Sequence, residues 1–317
     1  MGAEYREEPC RNALNRVSGM PFGWSLNPYM GCAHRCTFCY VRGFEKRADR
    51  PWDDRYGRSI RVKINIVDVL RRELGRRSWK GEEVVIGAAT DPYQPAEGRW
   101  RLTRGCIEVL GAARNPLSII TRGPLIVRDI DVLSEAARRA AVSVSFSVPT
   151  LDHRIWQATE PGTAPPRQRL RALARLVDAG IDAGVGMAPI LPGLSDRPDL
   201  LADVVRAARD AGATSVWTSL LNLRPGTREH FLEALGREWP ELAPRYERLY
   251  RGRAYLGRAE IDPVRRRVTE LREQYGIGDH RTVRLLPLAE PAVEQDPVQL
   301  DLASAGFGDA APAWRIA

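Results

Sequence analysis

Residues Asn27–Tyr40 read NPYMGCAHRCTFCY and space three thiols, Cys32, Cys36 and Cys39, as C-x3-C-x2-C in a loop punctuated by Pro and Gly. Thiolates are soft donors that suit zinc and iron–sulfur centres. A [4Fe–4S] cluster normally takes four cysteines, so three leave one iron open to another ligand. The tight loop also lets backbone amides approach the sulfurs and tune them. Structural zinc is the competing reading, with His34 or the distant Cys10 as fourth ligand. Three inert core cysteines fit less well, because none of them sits in an apolar periodic segment. Cys10 and Cys106 complete an odd set of five with no export signal. That usage points away from a disulfide framework and toward metal or redox work in a reducing compartment.

Outward from this loop, short β-branched runs alternate with longer amphipathic stretches, the sequence form of parallel βαβ units. The strand candidates are Glu83–Ala88, Leu117–Thr121, Val142–Val148, Asp182–Ala188 and Ser215–Leu221. Helical patterns cover Asp129–Ala140, Pro166–Ala179 and Pro198–Ala211, with Gly180 and Gly212 where left-handed C-caps belong. A first strand should precede Asn27, and the cysteine loop should then lead into Val67–Leu74 as the first helix. About six units with right-handed crossovers make an α/β fold, a partial (β/α)6 TIM-type barrel with its active face at the strand carboxyl ends. The expected divisions are an N-terminal extension (1–20), the barrel (21–225), an Arg-rich helical cap (226–280) and a loosely ordered tail (281–317).

No apolar run approaches the roughly 18–20 residues that span a bilayer, and the first ten residues show no leader pattern, so the reading is cytoplasmic without membrane contact. Met1-Gly2 lacks the Ser or Thr of a myristoylation signal. The net charge is +8, and Lys46, Lys63 and Lys80 are the only lysines. A solvated Arg/Glu surface is the plainer reading of that charge, and a face for nucleic acid is the other; charge alone does not choose.

The cysteine spacing, with Phe38 just before the last thiol, resembles the radical S-adenosylmethionine (SAM) superfamily. ATDPYQPAEGRWRLTRGCIEVL, IITRGPLIVRDIDVL and GVGMAPILPGL look like the branch that contains spore photoproduct lyase and an uncharacterised actinobacterial group. The resemblance covers about Pro21 to Pro225. It implies a [4Fe–4S] cluster on Cys32, Cys36 and Cys39 whose open iron chelates SAM, cleaved reductively to a 5′-deoxyadenosyl radical. It further implies an electron donor such as flavodoxin or ferredoxin.

By the same resemblance Phe38 approaches the adenine, Thr90 meets the SAM amino group, Arg122 the carboxylate, Ser147 is the serine that the fourth strand supplies to the SAM site, and Ala188 lines the adenine pocket. Packing or turn roles stand beside each of these. Tyr40 matches a tyrosine of hydrogen-atom relay, or else packs beside the cluster. The lyases carry a hydrogen-donating cysteine where this chain has Ala88, which puts photoproduct repair in doubt. Cys106 reads as a core thiol rather than a substitute. Asp91, Tyr93 and Gln94 are either substrate contacts or a structural loop, and Asp152 and His153 read more readily as structural. In the tail, Gln299–Leu302 resembles a sliding-clamp-docking peptide but lacks the terminal aromatic, since Ala303 and Ser304 follow; an ordinary tail is the plainer reading.

Three functions remain open at this level. They are hydrogen abstraction from a nucleotide or nucleic acid, modification of a small molecule or peptide with the same cofactors, and a non-enzymatic zinc or iron–sulfur protein.

Overall fold

The computed structural model describes residues 2–279. The first part of the chain forms β1 (Glu4–Glu8), β2 (Leu14–Arg16), β3 (Trp24–Leu26), β4 (Tyr29–Met30), α1 (Val41–Arg47), β5 (Ser59–Lys63) and α2 (Ile66–Leu74). The middle contains β6 (Val84–Ile86), α3 (Ala96–Trp100), α4 (Leu102–Ala112), β7 (Leu117–Thr121), α5 (Ile130–Arg139) and β8 (Val142–Ser147). Then follow α6 (His153–Thr159), α7 (Pro166–Asp178), β9 (Asp182–Ile190), α8 (Pro198–Asp210), β10 (Val216–Leu220), α9 (Thr227–Glu238), α10 (Ala243–Leu249) and α11 (Arg258–Tyr275).

One sheet has the order β10-β9-β8-β7-β6-β3-β2. Its six strands from β3 to β10 pair in parallel, with Leu26 opposite Ile86, Ile86 opposite Ile119 and Val144 opposite Ala183. The sequence of β8, VSVSFS, explains how this sheet is used. Val142, Val144 and Phe146 enter the main core beneath the helices, while Ser143, Ser145 and Ser147 line an internal cavity. A parallel strand covered on both faces would be apolar throughout; here alternate residues face an open lumen. Helices α5, α7, α8 and α11 cover β8, β9 and β10 from outside, and α2 packs on α4. This is the partial (β/α)6 barrel that the strand spacing predicts. Gly180 and Gly212 end their helices at φ +77° each, as C-cap glycines do.

The first crossover differs from the sequence reading. The cysteine loop does not run straight to α2; it enters α1 immediately after Tyr40, and β5 intervenes. Helix α1 is short, and its anchor Val41 packs with Cys32 and Tyr56 rather than with the main core, so no long amphipathic stripe announces it. The first twenty residues also pair: β1 runs parallel to β5, and β2 closes the β3 edge antiparallel. Their mostly polar sequences hide that pairing. Toward the C-terminus, α11 packs on α8 and β10 as the sixth barrel helix, while α9 and α10 build a second core. That core contains Cys36, Phe38, Phe231, Tyr246 and Tyr250. The Gln299–Leu302 motif lies outside the described residues. No helix among the described residues is long and apolar enough to cross a membrane.

Candidate active site

The cysteine loop leaves β4 and is gripped from several sides. Gln94 accepts from Ala33 N through Oε1 at 3.0 Å and donates Nε2 to Gly31 O at 3.1 Å. Thr37 N donates to Thr159 O at 2.9 Å, and Thr227 Oγ1 on α9 donates to Cys39 O at 3.1 Å. Gly57, at φ +74°, is forced by contact, since a Cβ there would lie 2.2 Å from Cys32 O. The loop is thus held by four separate parts of the chain before any cofactor binds.

One cavity of 1690 Å³ opens at the carboxyl ends of the parallel strands and continues along the barrel. Cys32, Cys36, Phe38, Cys39, Tyr40, Thr90, Arg122, Ser147 and Ala188 all line it. The three thiols act on one another electrostatically. Burial pushes Cys36 and Cys39 up, and neighbouring cysteine charge adds to the shift. Arg122 works the other way at Cys36, and the Tyr56 hydroxyl does so at Cys39. With burial favouring the protonated thiols, three of them on one cavity would give up their protons to a bound cation, and iron would supply that charge. The donor set therefore fits an iron–sulfur cluster.

Of the two alternative zinc ligands, His34 lines the same cavity in hydrogen-bond contact with Cys32, whereas Cys10 does not reach it. His34 Nδ1 faces Asp91 Oδ2 at 3.3 Å, and Cys10 packs on the main core with its backbone tied to Asn65. Among the described residues no group of three or more His, Cys, Asp or Glu is placed to hold a single metal ion. A zinc ion would draw its donors to about 2.0–2.3 Å of one point.

Arg122 sits at the end of β7, with Nε on Glu160 Oε1 at 2.6 Å and Nη2 on Ala188 O at 3.0 Å. Its guanidinium lies 5.6 Å from the Phe38 ring centroid. Burial opposes its charge, but Cys36 and Glu160 more than offset this and hold the guanidinium protonated. Glu160 also binds Arg169, which is fully buried and donates to Ser147 O and Thr163 Oγ1. This network fixes Arg122 and the end of β8 together. Thr90 donates to Gly31 O at 2.7 Å and accepts from Gln94, so one acceptor position remains on its hydroxyl.

Tyr40 lines the cavity and donates its hydroxyl to Ala88 O. Asp91 is buried, lines the cavity and accepts from Tyr93 N, Thr121 Oγ1 and Arg122 N, so it organises the strand ends. Tyr93 belongs to the main core. Asp152 caps α6 through Ile155 N at 2.9 Å, and neither it nor His153 lines the cavity. Cys106 is fully buried on α4. Sequence reasoning missed Glu160, Arg169, Arg42, Tyr56 and Trp217; each is defined by a partner distant in sequence.

The radical SAM superfamily model matches residues 26–204, more than half of the chain. An uncharacterised protein of Mycobacterium tuberculosis is 40% identical over 285 residues, covering 88% of this chain and 84% of the relative. An uncharacterised protein of Acidianus two-tailed virus is 31% identical over 225 residues, or 67% of this chain and 71% of the relative. In fold, the chain resembles spore photoproduct lyase solved with AdoMet and dinucleoside spore photoproduct. The TM-score is 0.67 at 16% identity, covering 87% of this chain and 80% of the lyase. With the cysteine loop at the mouth of a partial (β/α)6 barrel, these matches establish that the chain belongs to the radical SAM superfamily.

Proposed function

We propose that Cys32, Cys36 and Cys39 hold a [4Fe–4S] cluster in this enzyme, that SAM binds in the adjoining cavity, and that the substrate is a nucleotide within a nucleic acid. Bound there, cluster and SAM supply one-electron cleavage of the sulfonium to a 5′-deoxyadenosyl radical. Phe38 and Ala188 shape the adenine side of the pocket, and Ser147 joins the SAM site from the end of β8. Thr90 offers its free acceptor position to the SAM ammonium, and Arg122, oriented by Glu160, takes the carboxylate. Tyr40 stands beside the cluster with its hydroxyl directed at Ala88, where it is available for hydrogen transfer near the radical.

The substrate class rests on the cavity mouth. Phe44 and Tyr255 are 36% and 52% exposed, and both line the cavity. Two arginines at the same mouth stack on them, Arg47 at 5.0 Å from the Phe44 centroid and Arg224 at 5.3 Å from Tyr255. Exposed aromatics interleaved with arginine suit unstacked bases on a phosphate backbone. The fold neighbour solved with a dinucleoside photoproduct supports the same class. Ala88 supplies no thiol where the lyases have one, so photoproduct repair is not the proposed reaction.

The test is anaerobic reconstitution of the full chain with SAM and dithionite, following 5′-deoxyadenosine with and without single-stranded oligonucleotide. Stimulation by the oligonucleotide is expected, with binding that weakens as salt rises. Arg47→Ala and Arg224→Ala should each lower the salt slope by about 1. Salt-insensitive behaviour with no stimulation would reject nucleic acid in favour of a small-molecule or peptide substrate, and Cys36→Ala that still cleaves SAM would reject the cluster site.

A further inference from the structure

Between α1 and β5 the chain crosses the cysteine loop as a strap, residues 52–58. Backbone touches backbone where Gly57 meets Cys32 O, and Arg35 donates to Asp54 O at 3.0 Å. Arg42, on α1, is 1% exposed and donates to Trp52 O at 2.6 Å and Asp53 O at 2.7 Å. Its guanidinium lies 4.7 Å from the centroid of the Tyr56 ring. Tyr56 is 2% exposed and brings its hydroxyl to 3.6 Å from Cys39 Sγ. The order is thus cation, ring, hydroxyl and sulfur, with Arg42 and Tyr56 buried and the sulfur at the cavity wall.

A buried guanidinium is costly unless a negative group balances it. Arg42 spends its Nη1 hydrogen bonds on neutral carbonyls. Burial works against its charge, and the groups that work for it, in decreasing order, are Cys39, Tyr56 and Cys36. The guanidinium stands behind the Tyr56 ring, whose hydroxyl reaches Cys39 Sγ.

We propose that Tyr56 and Arg42 raise the reduction potential of the cluster held by the three cysteines, the hydroxyl donating to Cys39 Sγ and the guanidinium standing behind it as fixed positive charge. The inference rests on the reading that Cys32, Cys36 and Cys39 hold that cluster. Reduction adds negative charge, so a donor on a ligating sulfur and a nearby cation stabilise the reduced form. Both side chains act through Cys39 and are positioning residues; neither meets SAM or substrate in this scheme.

The experiment is an anaerobic redox titration of the reconstituted full chain, read by electron paramagnetic resonance, with Tyr56→Phe beside the wild type. Phenylalanine keeps the ring beneath Arg42 and removes only the donor. At a fixed ambient potential the reduced-to-oxidised ratio should fall about tenfold, equivalent to about 59 mV for one electron. Arg42→Met should move it in the same direction, and should that variant fail to fold, Tyr56→Phe alone decides. An unchanged or raised ratio at full iron content overturns the proposal. A Tyr56→Phe protein that takes up no cluster also overturns it, because the tyrosine would then serve loop folding. Wild-type protein that takes up no [4Fe–4S] cluster instead overturns the underlying cysteine assignment, and this is read first.

Discussion

His34 Nδ1 and Asp91 Oδ2 stand 3.3 Å apart, an ion-pair separation without hydrogen-bond alignment, and both side chains are 6% exposed. The pair joins the cysteine loop to the loop after β6. It also links Cys32, whose charge helps push His34 up to about 10 against the effect of burial, to the strand end that carries Arg122. Burial would raise Asp91, but His34 and the donors Thr121 and Arg122 hold it down at about 2.

Asp91→Asn should accordingly cost about 3–5 kcal/mol, the scale for removing one partner of a buried charge pair. Denaturant midpoints would measure it. Cluster retention should fall in parallel, because the loop loses one of its anchors. Full stability with full iron content in the variant would contradict this role for the pair.

Glu160→Gln removes the charge between Arg122 and Arg169 while keeping the shape of the side chain. Burial alone would raise the Glu160 carboxyl, yet the two arginines hold it below its usual range. Loss of about 3 kcal/mol is expected from the unpaired Arg169. SAM affinity should weaken as well, because Arg122 loses the charge that strengthens the hydrogen bond at its Nε. Isothermal titration with SAM separates the two effects; a destabilised protein with unaltered SAM affinity would remove Arg122 from the carboxylate site.

The legible part of this molecule was local. The C-x3-C-x2-C spacing and the VSVSFS alternation each fit within a few residues, so the cysteine loop and the strands could be located from sequence. The contacts that grip the loop could not, because they join residues such as Tyr56 to Cys39 and Thr227 to Cys39 across unrelated segments. The hydrophobic period was equally silent on α1, whose partners are the thiol loop and the strap. Glu160 and Arg169 appear in sequence as ordinary charges of a helical region, and only the fold shows both without solvent. The short pairing of β1 with β5 escaped for a related reason, since EYREE carries the composition of a surface strand.

Trp217 lies across the lumen and donates Nε1 to Ser145 Oγ at 2.9 Å, spanning from β10 to β8. Gly186 makes room for it, since a Cβ there would stand 2.7 Å from the indole. Gly186→Val should displace the ring and cost about 1–3 kcal/mol, the range for overpacking a filled site. Near-ultraviolet circular dichroism of the indole together with thermal unfolding tests this, and an unchanged signal at unchanged stability would refute the packing.

Acid should expose the α9 contact with the strap. His230 lies 3.8 Å from Asp54, yet burial and the nearby Arg42 depress its pKa from 6.5 to about 4. The unfolded chain takes up a proton near pH 6.5 while the folded protein refuses it until about pH 4, so unfolding gains protons across that interval. The His230 contribution to stability is therefore fully present above pH 6.5 and declines as pH falls toward about 4. Asp91 adds its own loss only lower, between 3.8 and about 2. His230→Gln should flatten the decline between pH 6.5 and 4 while leaving the lower one in place, measured as unfolding midpoints across pH. A variant with the wild-type slope in the upper interval would assign that decline to other groups.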